Sequence, residues 1–227
     1  MLTTPLLRQL ALLFIMSAAL PAASVQAADQ AVSNNEIRRL DLGKTLEVGD
    51  VVFIRIPFSP FTEVAKTTMS WTNHVGIVVE ISGKEPLIAE SRFPLSGQTT
   101  WSKFVKRSDK GRVAITRLPT ALDVEQQTKL KLAVAERKGI VYDTGFDLHS
   151  HKQFCSRYVR EILQAAVNIE LGKVEKFSTL LKNNPQSNQN FWRSWFFGSI
   201  PWERETVTPA SLLRDDKMQM VFDGRAI

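Results

Sequence analysis

Two apolar spacings alternate along this chain. Val51-Val52-Phe53-Ile54-Arg55-Ile56 follows the turn-forming pair Gly49-Asp50 and reads as a strand. His74-Val75-Gly76-Ile77-Val78-Val79-Glu80-Ile81 predicts a second strand, closed by Ser82-Gly83-Lys84. Pro86–Ser91 and Val113–Leu118 predict two more. The stretch from Pro57 to Thr72 reads as a loop with a helical turn near Val64, and Trp101–Val105 as a short helix. The period then lengthens. Asp123 is placed to cap a helix reaching about Lys138, with Leu130, Val134 and Ala135 inward and Gly139 as its stop. After Cys155, residues Tyr158, Val159, Ile162, Leu163 and Ala166 fall at helical spacing. Short strands followed by helices predict an α+β domain. Its sheet should lay one apolar face on the helices 123–138 and 155–166.

The first residues change the setting. Arg8, the apolar run from Leu10 to Leu20 and the small-residue site Val25-Gln26-Ala27 read as a cleaved signal peptide over residues 1–27. An uncleaved anchor is the alternative, although the apolar run is short for a membrane span. The expected location is periplasmic or secreted. Residues 28–45 read as a polar lead-in or short helix, and residues 46–227 as one domain. The formal charge of +6 is dispersed, so nucleic acid is not implied.

Cys155 is the only cysteine, which excludes an internal disulfide and any multi-cysteine zinc site. Its place at a helix start puts the thiol where unpaired N–H groups and the helix dipole favour an anion. Free cysteine is also among the most buried residue types, so the stretch alone leaves a nucleophile and a core cysteine both open. His74 opens a strand and shares a face with Gly76, whose missing side chain leaves room for another group to approach. A solvated or hydrogen-bonded strand histidine is the alternative. Glu90 ends the next predicted strand and comes near His74 if the two strands form a hairpin; as a lone glutamate it reads as solvated.

Taken together, Leu46-Glu47-Val48-Gly49-Asp50-Val51-Val52-Phe53, Asn73-His74-Val75-Gly76-Ile77-Val78, Glu90, Val141-Tyr142-Asp143 and Phe154-Cys155-Ser156 resemble the NlpC/P60 superfamily. The resemblance is to its circularly permuted, papain-like branch of the YiiX/YebB type, in which the histidine precedes the cysteine. It runs from about Leu46 to Ala166 and into Thr208–Leu212. It implies a cysteine amidase or peptidase-type hydrolase with a permuted papain-like α+β fold and no cofactor. It implies Cys155 as nucleophile, His74 as base and Glu90 as orienting residue, with Tyr142 lining the site, donating a hydrogen bond or simply packing in the core.

Two features compete with this reading. His149 and His151 precede Cys155 with Asp147 nearby, but their spacing is local and irregular, and no metal site is assigned. His151 is the second choice of base. The segment 183–202 reads as an insertion carrying Trp192, Trp195 and Trp202. It is a patch packed on the domain, a wall over the cleft, or a membrane-contacting edge. The expected substrate is cell-envelope material such as peptidoglycan stem peptides. A lipid or acyl amide or ester, hydrolysed or transferred, is the alternative, and a non-catalytic envelope-binding protein on the same fold the second.

Overall fold

A computed structural model describes residues 35–182 and 184–227 of the chain. The expected signal peptide lies outside the described residues, as does the first part of the lead-in. Among the described residues, β1 (Glu36–Ile37), β2 (Val51–Ile54), β3 (His74–Glu80), β4 (Leu87–Glu90), β5 (Gly97–Thr100), β6 (Arg112–Arg117) and β9 (Gln219–Ala226) form one sheet. Its order is β1-β9-β6-β2-β3-β4-β5, antiparallel except for the β1/β9 edge. A separate ribbon pairs β7 (Val174–Lys176) with β8 (Glu205–Val207). The helices are α1 (Arg39–Gly43), α2 (Phe61–Thr67), α3 (Trp101–Lys106), α4 (Val124–Glu136), α5 (Cys155–Val167), α6 (Phe177–Lys182), α7 (Gln189–Trp195) and α8 (Pro209–Leu213).

The central strands alternate between two cores. Val51, Phe53, Val75, Ile77, Ala89 and Ala114 pack with the buried faces of α4 and α5. Val52, Ile54, Val78, Ile88, Val113 and Ile115 pack with Trp101, Phe104 and Val105 of α3 and with Leu42 of α1. The helix-facing side is the one expected from the sequence. The second covered face departs from it, because α1 and α3 roof the sheet on the opposite side. The Trp101 indole N–H fastens that roof by donating to the Arg39 carbonyl at 2.7 Å. Part of the expected lead-in thus belongs to the sheet and its covering layer, as β1 and α1.

The two long helices begin and end as their residues dictate. Asp123 accepts from the Gln126 N–H at 2.8 Å, and the Gln126 side chain accepts from the Asp123 N–H at 3.0 Å, closing a capping box on α4. Inward on α4 are Leu130, Ala133 and Val134; Ala135, expected inward, points to solvent. The two assignments share Leu130 and Val134 and differ only in which flanking alanine is buried, because short alanines carry little periodic signal. On α5, Tyr158, Val159, Ile162, Leu163 and Ala166 are all buried. Burying each larger aliphatic side chain contributes roughly 1.5–3 kcal/mol. Asn168 closes α5 in the left-handed conformation, φ 57°.

Candidate active site

The β3/β4 hairpin sets Ile77 opposite Ala89 and Val78 opposite Ile88. Glu90 therefore falls diagonally across from His74, on the same sheet face. The His74 Nε2 and Glu90 Oε2 lie 2.6 Å apart, with the two residues 1% and 0% exposed. Neither residue is solvated, and His74 is hydrogen-bonded, as one of its alternatives held. Arg107, just past α3, donates to both Glu90 carboxylate oxygens at 2.8 Å. Arg92 Nε stands 3.7 Å from Oε1. Nothing in the local pattern marks Arg107 in the sequence, because its role depends on where α3 docks.

Burial opposes charge on Glu90, but His74 and then Arg107 outweigh it and bring its pKa down to about 2. Burial likewise opposes the imidazolium of His74. Cys155 and then Glu90 outweigh it and raise the His74 pKa to about 9.

Gly76 has a different use from the one expected. A Cβ there would meet Ile88 Cγ2 at 2.5 Å, the Ala89 carbonyl at 3.0 Å and Phe104 Cε2 at 3.0 Å. The space beside His74 is filled by Phe104, not by the thiol. Phe104 packs on the imidazole at 5.7 Å between centroids, and Phe61 approaches it edge-on at 6.3 Å. The ring is gripped from two sides, with Nε2 on Glu90.

Cys155 is the first residue of α5 and is 4% exposed. Phe154, at the N-cap, offers no side-chain acceptor, so the first N–H groups of the helix are left for another partner. Ser156 Oγ donates to the Val207 carbonyl at 2.7 Å and ties the helix start to β8. Ser91, next to Glu90, donates to the Gln153 carbonyl at 2.8 Å, so the hairpin end and the approach to Cys155 are joined directly. Asp143 N–H donates to the Gln153 carbonyl at 2.8 Å, and Gln153 N–H to the Val141 carbonyl at 3.0 Å. These bonds hold Tyr142 against the same segment. The Tyr142 hydroxyl and His74 Nδ1 are buried and close no hydrogen bond among the described residues. Burial raises the Tyr142 pKa, and Cys155 raises it further. Cys155 thus acts on both side chains. The structure brings Cys155, His74, Glu90 and Tyr142 into one neighbourhood.

The remaining candidates lie apart from it. His149 is exposed and its Nε2 is 2.9 Å from Glu205 Oε2. His151 is also exposed, on the loop before α5. Among the described residues no cluster of three or more His, Cys, Asp or Glu side chains is arranged to hold a metal ion. Beside Cys155 opens a narrow cleft of about 40 Å³, walled by Phe61, Val64, Phe146, Phe177, Leu180 and Trp192. Trp192 comes from the aromatic insertion. It is buried, and its indole N–H donates to Thr67 Oγ1 at 2.8 Å. The insertion is therefore both packed on the domain and part of the cleft wall.

A thiol at a helix start beside a histidine at the start of an antiparallel strand, with the histidine first in the chain, is a papain-like arrangement with the chain order permuted. Residues 45–222 match the family described as "Permuted papain-like amidase enzyme, YaeF/YiiX, C92 family", and the chain belongs to that family. It is similar to the uncharacterized protein YiiX of Escherichia coli K12, 26% identical over 178 residues, covering 78% of this chain and 82% of that protein. It also resembles the crystal structure described as metalloprotein yiiX from Escherichia coli O157:H7. The TM-score is 0.73 at 24% identity, covering 79% of this chain and 98% of that one.

Proposed function

We propose that this protein is a cysteine amidase that works through an acyl-enzyme, with Cys155 as nucleophile, His74 as acid–base and Glu90 as the group that orients His74. The observation that carries this reading is the buried His74–Glu90 pair at 2.6 Å, whose remaining ring nitrogen lacks a partner beside the Cys155 side chain. In the reaction, the Cys155 proton passes to His74 Nδ1 and the sulfur attacks the substrate carbonyl carbon. The oxyanion is held by the Cys155 N–H at the helix start, with the Tyr142 hydroxyl as a second donor. As the C–N bond breaks, His74 returns the proton to the leaving amine. Water, deprotonated by His74, then cleaves the thioester and restores the thiol. Proton transfer of this kind is worth about 10²–10⁴-fold.

Glu90 holds the imidazole by Nε2 and balances its charge, and Arg107 fixes Glu90 in turn. The match to an amidase family supports the reaction class. The order of histidine before cysteine supports placing the family in the NlpC/P60 superfamily. The catalytic unit we propose is residues 46–227, with residues 1–27 directing the chain to the periplasm or beyond. The similar crystal structure is described as a metalloprotein. The described residues here offer no fitting ligand cluster, so no step is routed through a metal.

The test is alkylation of the single thiol by iodoacetamide as a function of pH, in the native protein and in His74→Ala. Fast modification of the folded protein, with its low-pH limb lost in the variant, supports the pair. Modification only on unfolding would overturn it and leave Cys155 a core residue.

A further inference from the structure

We infer that Arg92, Lys103 and Arg107 form a binding groove for a phosphate-type oxyanion on the outer side of Glu90, and that its occupant acts on His74 through Arg107 and Glu90. The groove rests on geometry alone; its effect on the thiol rests on the reading of Cys155 and His74 given above. With Leu87, Gln98, Thr99 and Thr100, these three cations line a groove of about 410 Å³ between α3 and the edge strand β5. No carboxylate is part of that lining. Glu90 lies beneath it and draws on Arg107 at 2.8 Å and on Arg92 at 3.7 Å. Glu85, outside the groove, accepts the Ser102 N–H at 2.9 Å and attracts Lys103. Positive charge is therefore in excess, and it faces the open side.

The two guanidiniums are only partly used. Arg107 spends one nitrogen on Glu90, Nη2, which serves both carboxylate oxygens. Its Nε and that of Arg92 are buried and close no hydrogen bond among the described residues. Both side chains still reach the surface, 32% and 41% exposed. Phe104 lies under Arg107, 4.9 Å from the ring centre, and steadies the guanidinium plane. Guanidinium forks take phosphate oxygens in pairs, and the Lys103 ammonium adds a point charge. A carboxylate offers two oxygens, whereas two forks and an ammonium can serve three. The groove exceeds what a bare phosphate fills, which leaves room for a group esterified to it. An occupant acts on His74 with one sign. It adds negative charge behind Glu90, and it competes for Arg107, which otherwise offsets the Glu90 charge. Both effects favour the imidazolium, alongside the existing influence of Cys155.

The experiment is an NMR titration of the full chain with inorganic phosphate, against sodium chloride at matched ionic strength, and then with glucose 6-phosphate. The Nε–H signals of Arg92 and Arg107 and the amides of Gln98–Thr100 report the groove, and the His74 imidazole reports the link. The expected result is saturable movement of the groove signals with phosphate and not with chloride. The His74 midpoint should rise by roughly half a pH unit at saturation. Lys103→Gln, at an exposed position away from Glu90, should weaken phosphate about tenfold and leave the phosphate-free His74 midpoint unchanged. Tighter binding of glucose 6-phosphate identifies an esterified phosphate as the occupant, and equal binding the oxyanion alone. Groove signals that do not saturate, or that move equally with chloride, would overturn the site. Saturation with an unmoved His74 midpoint would overturn the link. These signals are read without any reaction at the thiol, so a failure of the catalytic reading shows in the alkylation profile and leaves the groove result standing.

Discussion

Replacing Glu90 by glutamine tests the electrostatics of the site most directly. The substitution keeps the shape and an acceptor oxygen for His74 but removes the charge. In the native protein the His74 pKa stands at about 9 against an ordinary 6.5. That difference corresponds to about 3 kcal/mol in favour of the imidazolium, net of the burial that opposes it. A unit charge about 4 Å from the ring, at an effective dielectric of about 20, is worth about 4 kcal/mol, or about three pH units. The amide dipole of glutamine returns part of this, and Cys155 remains as the larger favourable influence. The expected fall in the His74 midpoint is therefore about one to two pH units.

The chain has three histidines, two of them exposed, so the His74 imidazole can be followed by NMR across the neutral and alkaline range. The sign of the stability effect is also fixed. A raised histidine pKa stabilises the fold fully below 6.5, and the contribution is lost as pH rises through about 9. Glu90→Gln should shrink this alkaline decline in unfolding free energy and shift it to lower pH. Arg107, one-third exposed, can turn its freed guanidinium to water, so the variant should remain folded. A His74 midpoint that stays near 9 in the folded variant would refute the account of the pair.

Two further outcomes follow from other parts of the molecule. Gly76→Ala should cost about 1–3 kcal/mol and lower Tm by several degrees, because the new Cβ collides with Ile88 and the Ala89 carbonyl and presses Phe104 toward His74; scanning calorimetry reads it, and an unchanged Tm contradicts the packing described. Phe197, in the aromatic insertion at the tip following α7, is 99% exposed. If this is the membrane-contacting edge that the sequence left as one alternative, Phe197→Ser should weaken sedimentation with anionic lipid vesicles several-fold; equal partitioning of the two proteins removes the membrane contact.

Local patterns were enough to set the strands His74–Glu80 and Val51–Ile54 and the two long helices. Period-two and helical apolar spacing report burial of neighbouring residues, and Asp123 with Gln126 closes its own cap. The position of Cys155 at a helix start was legible for the same reason, because the stripe that follows it is continuous. Strand β5, Gly97–Thr100, has no apolar alternation to announce it and exists through its ladder to β4. Strand β9 is similarly mixed, held between β6 and β1 by backbone pairing. The order of His74, Glu90 and Cys155 along the chain was plain. Their meeting was decided by the hairpin register and by the Ser91–Gln153 bond. Arg107 on Glu90, Phe104 in the space above Gly76 and Trp192 in the cleft wall come from segments remote in sequence. Only the docking of α3 and α7 on the sheet brought them there, because side-chain contacts across elements leave no periodic trace in either partner.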